Sequence, residues 1–315
     1  MIPNSYKHTP VLLQEVLEYL QPKVGEVFID ATLGGGGYTE ALLGAVASTG
    51  KVLSLDLDID AIRAFKLKPQ TSNLKPVLVQ GNFKDIASIA QANGFSKVNG
   101  VVADIGLSSY ELDDAGRGIS FKHDEPLDMR FDASVANPTA ADLLAFKSEV
   151  ELTKLFTEYG EERYSRSIAR NIVRKRTEEA VTRTTQLVDI ITNSLPRAVR
   201  HKAQDSCRRI FQALRIAVNG ELENLRQFLP DALGLLAPGG RLVVVVFHSL
   251  EDRIVKQFFV QAATGCVCPA NFPHCVCGKT PQVQILTRRP VSAGEAELAQ
   301  NSRSRPAKLR AVLKL

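Results

Sequence analysis

The chain has 315 residues, is 44% hydrophobic and carries a formal net charge of +5. That length allows one large domain or two modest ones. No apolar run reaches the roughly 18 residues of a membrane span, and the first residues lack the apolar core of a signal peptide. We therefore expect a cytoplasmic protein with no membrane partner, whose mild positive charge permits nucleic acid as a partner.

The first third of the chain alternates helical patterns with short strands. Thr9 as N-cap and Pro10 as first residue predict an opening helix. Its apolar side is formed by Val11, Leu12, Val16, Leu17 and Leu20. The strands predicted next are 27–29, 52–55, 77–79 and 100–104. Such alternation is typical of a parallel α/β sheet.

A glycine-rich turn follows the first predicted strand. The strand ends in Asp30, and Gly34 to Gly37 precede a helix-forming run. Glycine lets a backbone turn tightly and approach a ligand, which then meets the N–H groups of the next helix. A dinucleotide fingerprint is not met, because its third glycine position falls on Thr39 or Glu40. No Gly-Lys-Ser/Thr ending of a phosphate loop is present either.

Acids end three of the predicted strands, at Asp30, Asp56 and Asp104. Ligands of open parallel sheets lie beyond the carboxyl ends of the strands, so we expect all three acids at one crevice. An acid at the place of Asp56 commonly accepts hydrogen bonds from ribose hydroxyls. Together with an open glycine turn it favours S-adenosylmethionine, the alternative being a βα turn that binds nothing. Phe83, after the third strand, packs against an adenine ring or belongs to the core.

The strand rhythm stops at about residue 111 and resumes with a β-branched strand at 238–247. We therefore predict a discontinuous α/β domain, residues 1–110 and 210–315, interrupted by an inserted helical domain, residues 111–209.

The predicted insert is strongly basic. Between Arg163 and Arg209 it has twelve Lys/Arg against four Asp/Glu. Helical spacing places four arginines on one helix face: Arg163, Arg166, Arg170 and Arg174. Such a row can neutralise RNA phosphates, the alternative being an ordinary solvated face. A second basic run, 303–310, has no predicted placement.

Two residues are candidates for a direct part in the chemistry. A sulfonium is already a good leaving group, so methyl transfer mainly requires alignment of the nucleophile. A base amine would gain from a hydrogen bond to a carboxylate, for which Asp104 is the best candidate, although we favour a cofactor contact for it. His248, after the fifth predicted strand, touches substrate, orients an acid or is structural.

Four of the five cysteines crowd together as C-x-C-x6-C-x-C: Cys266, Cys268, Cys275 and Cys277, with His274 among them. This pattern resembles a compact thiolate metal site more than a disulfide framework. Its spacing is tighter than that of the usual zinc knuckle, and exposed reduced thiols are the alternative. We assign no metal to the chain from the sequence.

These motifs, taken together, resemble the MraW (RsmH) family of S-adenosylmethionine-dependent methyltransferases, over nearly the whole chain. The matching blocks are residues 8–15 (HTPVLLQE), 30–37 (DATLGGGG), 104–109, 112–114, 118–121, 126–132, 159–163, 211–219 and 247–253 (FHSLEDR). The resemblance implies a Rossmann-like methyltransferase sheet with an inserted helical substrate domain. It also implies methylation of the N4 amine of a decoding-region cytosine in 16S ribosomal RNA, hence the small ribosomal subunit as partner. It implies no obligate protein partner and leaves a homodimer open.

By motif position, the resemblance places cofactor contacts on Gly36, Gly37, Tyr38, Asp56, Phe83, Asp104 and Glu111. The chain departs from the family pattern at Tyr38 (usually His), Tyr110 (small or Pro), Glu111 (usually Gln), Glu125 (usually Gly) and Asp205-Ser206 (usually His-Pro). The change at Tyr38 is mild, since its backbone N–H still serves. Glu111 accepts hydrogen bonds but donates none, and Asp205 removes an RNA-facing imidazole.

Three other functions remain to be distinguished from RNA methylation. An NAD-dependent oxidoreductase is disfavoured by the missing third glycine. A non-catalytic RNA-binding assembly factor would keep the fold but transfer no methyl group. A methyltransferase acting on DNA or protein would keep the chemistry and change the target.

Overall fold

A computed structural model describes residues 10–68, 74–106, 116–132, 137–268, 274 and 276–315. The chain divides into two compact units, residues 1–106 with 222–315, and residues 107–221. Over the described ranges, no helix is both long and apolar enough to cross a membrane.

The first unit is built on a seven-stranded sheet in the order β3-β2-β1-β4-β5-β7-β6. The strands are β1 (Val27–Asp30), β2 (Lys51–Asp56), β3 (Val77–Gln80), β4 (Val98–Asp104), β5 (Leu236–Val246), β6 (Val283–Ile285) and β7 (Lys308–Lys314). The first five run parallel, and β7 runs antiparallel to β5 and β6. The strand order reverses between β1 and β4, where doubly wound sheets bind their ligands. The predicted Rossmann-like sheet is confirmed.

Helices cover both faces of this sheet because neighbouring residues of each strand point to opposite sides. The helices of this unit are α1 (Leu13–Leu20), α2 (Gly37–Val46), α3 (Ile59–Leu67), α4 (Ile86–Ala92), α10 (Glu221–Leu235), α11 (Ser249–Ala263) and α12 (Glu295–Gln300). Ile29 and Val101 pack in one core with residues of α4, α10 and α11. Phe28 and Val102 pack in another with residues of α1 and α2.

The opening helix begins later than the sequence predicts. α1 begins at Leu13, because Leu12 adopts a left-handed conformation with φ 54°. The N–H of Leu12 donates to Glu297 Oε1 at 2.9 Å, a long-range contact that sequence spacing does not reveal. The predicted N-cap, Thr9, lies outside the described residues.

The second unit is helical, with α5 (Ala140–Phe146), α6 (Glu149–Glu158), α7 (Ser165–Lys175), α8 (Thr184–Ser194) and α9 (Ala203–Asn219). Its own core includes Phe156, Ile168, Ile172, Leu187 and Leu214. Two helix starts have capping boxes, Thr139 with Asp142 and Ser148 with Glu151. These reciprocal bonds satisfy N–H groups that a helix start leaves unpaired.

The second half of the C-terminal basic run lies in the sheet, whereas Arg303 and Arg305 precede the strand and are exposed. Lys308 and Arg310 lie in β7, and Arg310 is 6% exposed. Its Nε donates to Asp252 Oδ1 at 2.6 Å and its Nη2 to Asp252 Oδ2 at 3.2 Å. A bidentate pair of this kind satisfies a buried guanidinium.

Candidate functional site

Three acidic strand ends define the carboxyl edge of the sheet, but they lie at two depths. Asp30 pairs in register with Ser54 of β2 and Val102 of β4, two residues before Asp56 and Asp104. Asp30 is fully buried, whereas Asp56 and Asp104 end their strands on either side of it and are partly exposed. The expectation that all three acids face one crevice is therefore wrong for Asp30.

Asp30 instead fastens the glycine turn to the helix that follows. Its Oδ1 accepts from the N–H of Thr32 at 3.2 Å, and its Oδ2 accepts from Thr39 Oγ1 at 2.7 Å. Burial raises the pKa of Asp30 to about 7, although both hydrogen bonds act in the opposite direction. Asp30 is thus a positioning residue for the turn.

Asp56 holds the same turn from the neighbouring strand. Its Oδ2 accepts from the N–H of Gly34 at 2.7 Å, and its Oδ1 accepts from the N–H of Asp58 at 2.8 Å. Burial raises its pKa to about 6. Each carboxylate oxygen has a second lone pair, so the carboxylate retains acceptor capacity for a ligand hydroxyl.

The glycines of the turn are constrained in different ways. A Cβ on Gly36, whose φ is +81°, would lie 2.2 Å from Phe65 Cδ2, and one on Gly37 would lie 2.5 Å from Pro10 Cγ. These two predicted cofactor contacts are therefore constrained by packing. Gly34 also has a positive φ, +47°, but nothing lies within 4 Å of its Cβ position. Gly34, which was not among the predicted contacts, therefore has open space before it.

The side chain of Tyr38 is buried in the core, with its hydroxyl near the carboxylate of Asp104. It is 3% exposed, and its hydroxyl donates to the carbonyl of Val11. Burial, together with the charge of Asp104, raises the pKa of Tyr38 well above its usual value. Tyr38 lies in the first turn of α2, where backbone N–H groups lack partners within the helix. Its backbone is therefore placed to contact a cofactor, while its hydroxyl lies beside Asp104.

Asp104 offers an acceptor that nothing in the described chain uses. Its backbone N–H donates to Thr32 Oγ1 at 2.7 Å, which ties the end of β4 to the turn after β1. Its Oδ1 is buried without a hydrogen-bond partner among the described residues. Burial raises the pKa of Asp104 to about 7, the N–H of Gly106 acts in the opposite direction, and the charge of Glu251 raises it further.

His248 is the N-cap of α11 and forms a capping box with Glu251. Its Nδ1 accepts from the N–H of Glu251 at 3.4 Å, and Glu251 Oε2 accepts from the N–H of Phe247 at 2.8 Å. Its Nε2 lies 3.0 Å from Glu251 Oε1, but without hydrogen-bond alignment. Glu251 was not singled out from the sequence, although a glutamate three residues after a cap is the signature of this motif.

Two further residues were predicted to contact the cofactor, Phe83 and Glu111. The ring of Phe83 packs edge-to-face on Phe228 of α10, with centroids 5.4 Å apart. Phe83 is only partly buried, and it packs against the core shared with α4 and α11. Glu111 lies outside the described residues, as does Tyr110.

The chemistry of this donor and acceptor set fits S-adenosylmethionine. Within the described ranges, two buried side-chain atoms lack a hydrogen-bond partner, Asp104 Oδ1 and His248 Nε2. Both belong to residues predicted for the chemistry. Gly34 leaves open space beside the carboxylate of Asp56, and a nucleoside hydroxyl or an ammonium group supplies the donors that such acceptors require.

The four predicted RNA-contacting arginines lie together in the second unit. Arg166, Arg170 and Arg174 lie on α7, and all four arginines are exposed. The prediction that all four share one helix face is wrong for Arg163, which precedes α7. The opposite face of α7 buries Ile168, Ala169 and Ile172. Arg170 Nε lies 3.6 Å from Glu149 Oε1, with 62% of its side chain exposed, and such a surface pair contributes little. This row, Arg163 to Arg174, is called the arginine face below.

Two departures from the family pattern also lie in this unit. Glu125 Oε2 accepts from the N–H of Gly118 at 2.9 Å, where Gly118 has a φ of +69°. Asp205 is exposed in the first turn of α9, and its Oδ1 accepts from Arg208 Nη2 at 3.1 Å. Glu125 therefore fixes a loop, and Asp205 forms an ion pair at the surface.

Known proteins match the chain over its whole length. The MraW methylase family matches residues 5–315. Proteins named ribosomal RNA small subunit methyltransferase H are 46% identical in Heliobacterium mobile and 47% in Geobacter sulfurreducens, each covering 99% of this chain and 100% of the relative. Among solved structures, TrmN from Thermus thermophilus is 12% identical with a TM-score of 0.43, covering 96% of this chain and 48% of that one.

The relatives, rather than the distant structural likeness, decide the assignment. Identity near one half over full length confirms the resemblance predicted from the ordered motifs. The prediction of an S-adenosylmethionine-dependent methyltransferase is confirmed with it. The chain belongs to the MraW methylase family.

Proposed function

We propose that the chain transfers the methyl group of S-adenosylmethionine to the N4 amine of a cytosine in the decoding region of 16S ribosomal RNA. The observation that carries the proposal is the buried Oδ1 of Asp104 at the carboxyl edge of the sheet, which has no hydrogen-bond partner among the described residues. Support for the target comes from relatives named ribosomal RNA small subunit methyltransferase H. The specific base and amine follow from the resemblance of the motifs.

Asp56 and the turn from Gly34 to Gly37 form the cofactor side of the proposed site. When bound, the cofactor supplies an electrophilic methyl group on a sulfonium. Asp56 fixes the turn through Gly34 and offers its remaining lone pairs to ribose hydroxyls. Asp30 holds the turn against α2 through Thr39. The chain thus arranges the turn before any ligand arrives, which lowers the cost of binding.

Asp104 contributes an acceptor where the reacting groups would meet. In our preferred assignment it binds the cofactor, and a hydrogen bond to the target amine is the alternative role. His248 and Glu251 close the same edge of the sheet from the start of α11. Alignment of the nucleophile with the methyl carbon contributes most of the catalysis in such a transfer. A rigid carboxyl edge of the sheet provides this alignment.

The arginine face supports the RNA part of the proposal. Three of its exposed guanidinium groups follow one side of α7, and that of Arg163 precedes the helix. Phosphate contacts of this kind position nucleic acid without reading its sequence. The target base would leave its stack to be methylated. We propose the helical unit as the RNA-recognition domain.

The test is methyl transfer to small ribosomal subunits that lack the modification. Purified protein is incubated with them and labelled S-adenosylmethionine, the RNA is digested, and the methylated nucleoside is identified by mass. The proposal predicts N4-methylcytidine. Transfer to another base or to ribosomal protein contradicts the target, and intact cofactor binding without any transfer favours the assembly factor.

A further inference from the structure

The cysteine-rich segment between α11 and β6 brings three thiols together. The Sγ atoms of Cys266, Cys268 and Cys277 all lie within 4.8 Å of one another. The Sγ atoms of Cys266 and Cys277 are 3.8 Å apart, far beyond the roughly 2.05 Å of a disulfide bond. The fourth cysteine of the pattern, Cys275, lies outside the described residues.

This spacing matches a tetrahedral zinc site. Thiolates bind Zn²⁺ at about 2.3 Å, so two sulfurs on adjacent corners of the tetrahedron lie about 3.8 Å apart. The observed distance between Cys266 and Cys277 has this value. Borderline-soft Zn²⁺ prefers sulfur, whereas hard cations such as Mg²⁺ take oxygen ligands.

The backbone around the thiols is arranged as in a metal knuckle. The N–H of Val267 donates to Cys277 Sγ, and the N–H of Val276 donates to Cys268 Sγ, each at 3.4 Å. The two cysteine-bearing stretches therefore exchange hydrogen bonds, each donating a backbone N–H to a sulfur of the other. Hydrogen bonds of this kind orient metal ligands and stabilise negative charge on sulfur. Gly278, with a φ of +60°, lets the chain turn away directly after Cys277.

Apolar burial does not hold the described residues of this segment in place. Among the described residues of 264–282, none is in a helix or strand and none is buried. Val267 is 60% exposed and Val276 is 74% exposed. At its base, the N–H of Gln282 donates to the carbonyl of Ala262 at 2.8 Å. Segments without a core of their own are commonly held by a crosslink, either a disulfide or a metal.

We propose that Cys266, Cys268 and Cys277 supply three of the four ligands of one structural Zn²⁺, which ties residues 264–268 to residues 276–282 beside the end of α11. The site is separate from the proposed methyl-transfer site and does not depend on it. Binding replaces the three thiol protons by the metal, so protons are released and affinity falls in acid.

The first experiment measures metal in the untagged full-length protein, purified under reducing conditions after growth with zinc. Zinc per chain is determined by plasma mass spectrometry, and cobalt replacement is followed by thiolate-to-metal absorption. The Cys268→Ser/Cys277→Ser double variant is compared with Cys207→Ser, which alters a buried cysteine of the helical unit. We expect about one zinc per chain in the wild type and in Cys207→Ser, and close to none in the double variant.

Two results would overturn the proposal: negligible zinc in the wild type, or equal zinc in the wild type and the double variant because the metal is adventitious. A Cys266–Cys277 disulfide in the wild type purified under reducing conditions, detected by thiol alkylation and mass spectrometry, would also overturn the proposal. A second readout needs no variant. Removing metal from the wild type with a chelator should speed tryptic cleavage at Lys279 about tenfold, and added Zn²⁺ should reverse this. Cleavage indifferent to the chelator contradicts the proposal.

Discussion

The carboxyl edge of the sheet and the arginine face use polar groups in opposite ways. At the sheet edge, carboxylates are buried or partly buried, fixed by hydrogen bonds to backbone and threonine, and raised in pKa. On α7, the arginines are exposed and make only loose contacts, such as that of Arg170 with Glu149. The first arrangement suits one small ligand held in a fixed pose, and the second suits a long, charged partner.

This difference determines how each region should respond to substitution. Losing one fixed hydrogen bond at the sheet edge leaves a buried group unsatisfied and is costly. Losing one exposed charge from a row removes only one of several phosphate contacts. Single substitutions should therefore disable the cofactor site, whereas the arginine face should require combined changes.

The largest effect is expected from a pair of glycine variants. In Gly36→Ala the new methyl would meet Phe65 at 2.2 Å with a positive φ, so we expect the free energy of unfolding to fall by at least about 3 kcal/mol. Gly34→Ala meets nothing within 4 Å and should lose only about 1 kcal/mol from its φ, while weakening S-adenosylmethionine binding. Denaturant unfolding and calorimetry check both variants. Equal losses of stability would contradict the distinction between the two glycines.

Asp56→Ala should weaken cofactor binding about 10- to 100-fold, because it removes a charged acceptor and releases the N–H of Gly34. Isothermal titration calorimetry measures the affinity. The matched control is Asp60→Ala, which removes only an exposed pair with Arg63 and should leave the affinity unchanged. An Asp56→Ala variant that binds the cofactor normally would remove Asp56 from the site.

Charge reversal of Arg166 and Arg170 to Glu should weaken binding to 16S ribosomal RNA about tenfold and flatten its salt dependence. Cofactor affinity should stay the same. Arg63→Glu/Arg226→Glu, which reverses two exposed arginines of the sheet unit, is the control of matched charge and should bind RNA almost normally. If both variants lose affinity for RNA equally, the net charge of the protein and not the arginine face explains the binding.

The smallest effect is expected from pH. Asp104, with a pKa of about 7, should bind a donor-bearing, positively charged ligand best when ionised. Binding then lowers this pKa and releases a proton, so affinity should rise as pH increases through about 7 and level off above it. We expect a change of about fivefold between pH 6 and pH 8, and a weaker change in Asp104→Asn. Affinity that instead rises toward acid would contradict the role of Asp104 as an ionised acceptor.

The repeating parts of the fold could be predicted from the sequence, whereas long-range contacts could not. Strands β1 to β5 follow from short apolar runs, and α7 follows from its arginine spacing. The strand β7 was missed because Lys308 and Arg310 make its pattern look like a basic tail, although Arg310 is paired with Asp252. The left-handed Leu12, after which α1 begins, donates its N–H to Glu297, which lies far away in sequence.

Within the site, residue types were predictable but their depth was not. Asp30 and Asp56 both end strands, yet the register of β1 with β2 places Asp30 beside Ser54 and buries it. Likewise, a run of four glycines gives no sign of which one packs against Phe65 and which faces open space. Those distinctions come from neighbours that only the folded chain brings together.

The most direct test of this division of labour is steady-state methylation of unmodified small ribosomal subunits by two variants. Asp56→Ala should raise KM for S-adenosylmethionine and leave KM for the subunit unchanged. The Arg166→Glu/Arg170→Glu variant should raise KM for the subunit and leave KM for S-adenosylmethionine unchanged. Variants that raise both constants together would contradict separate cofactor and RNA surfaces.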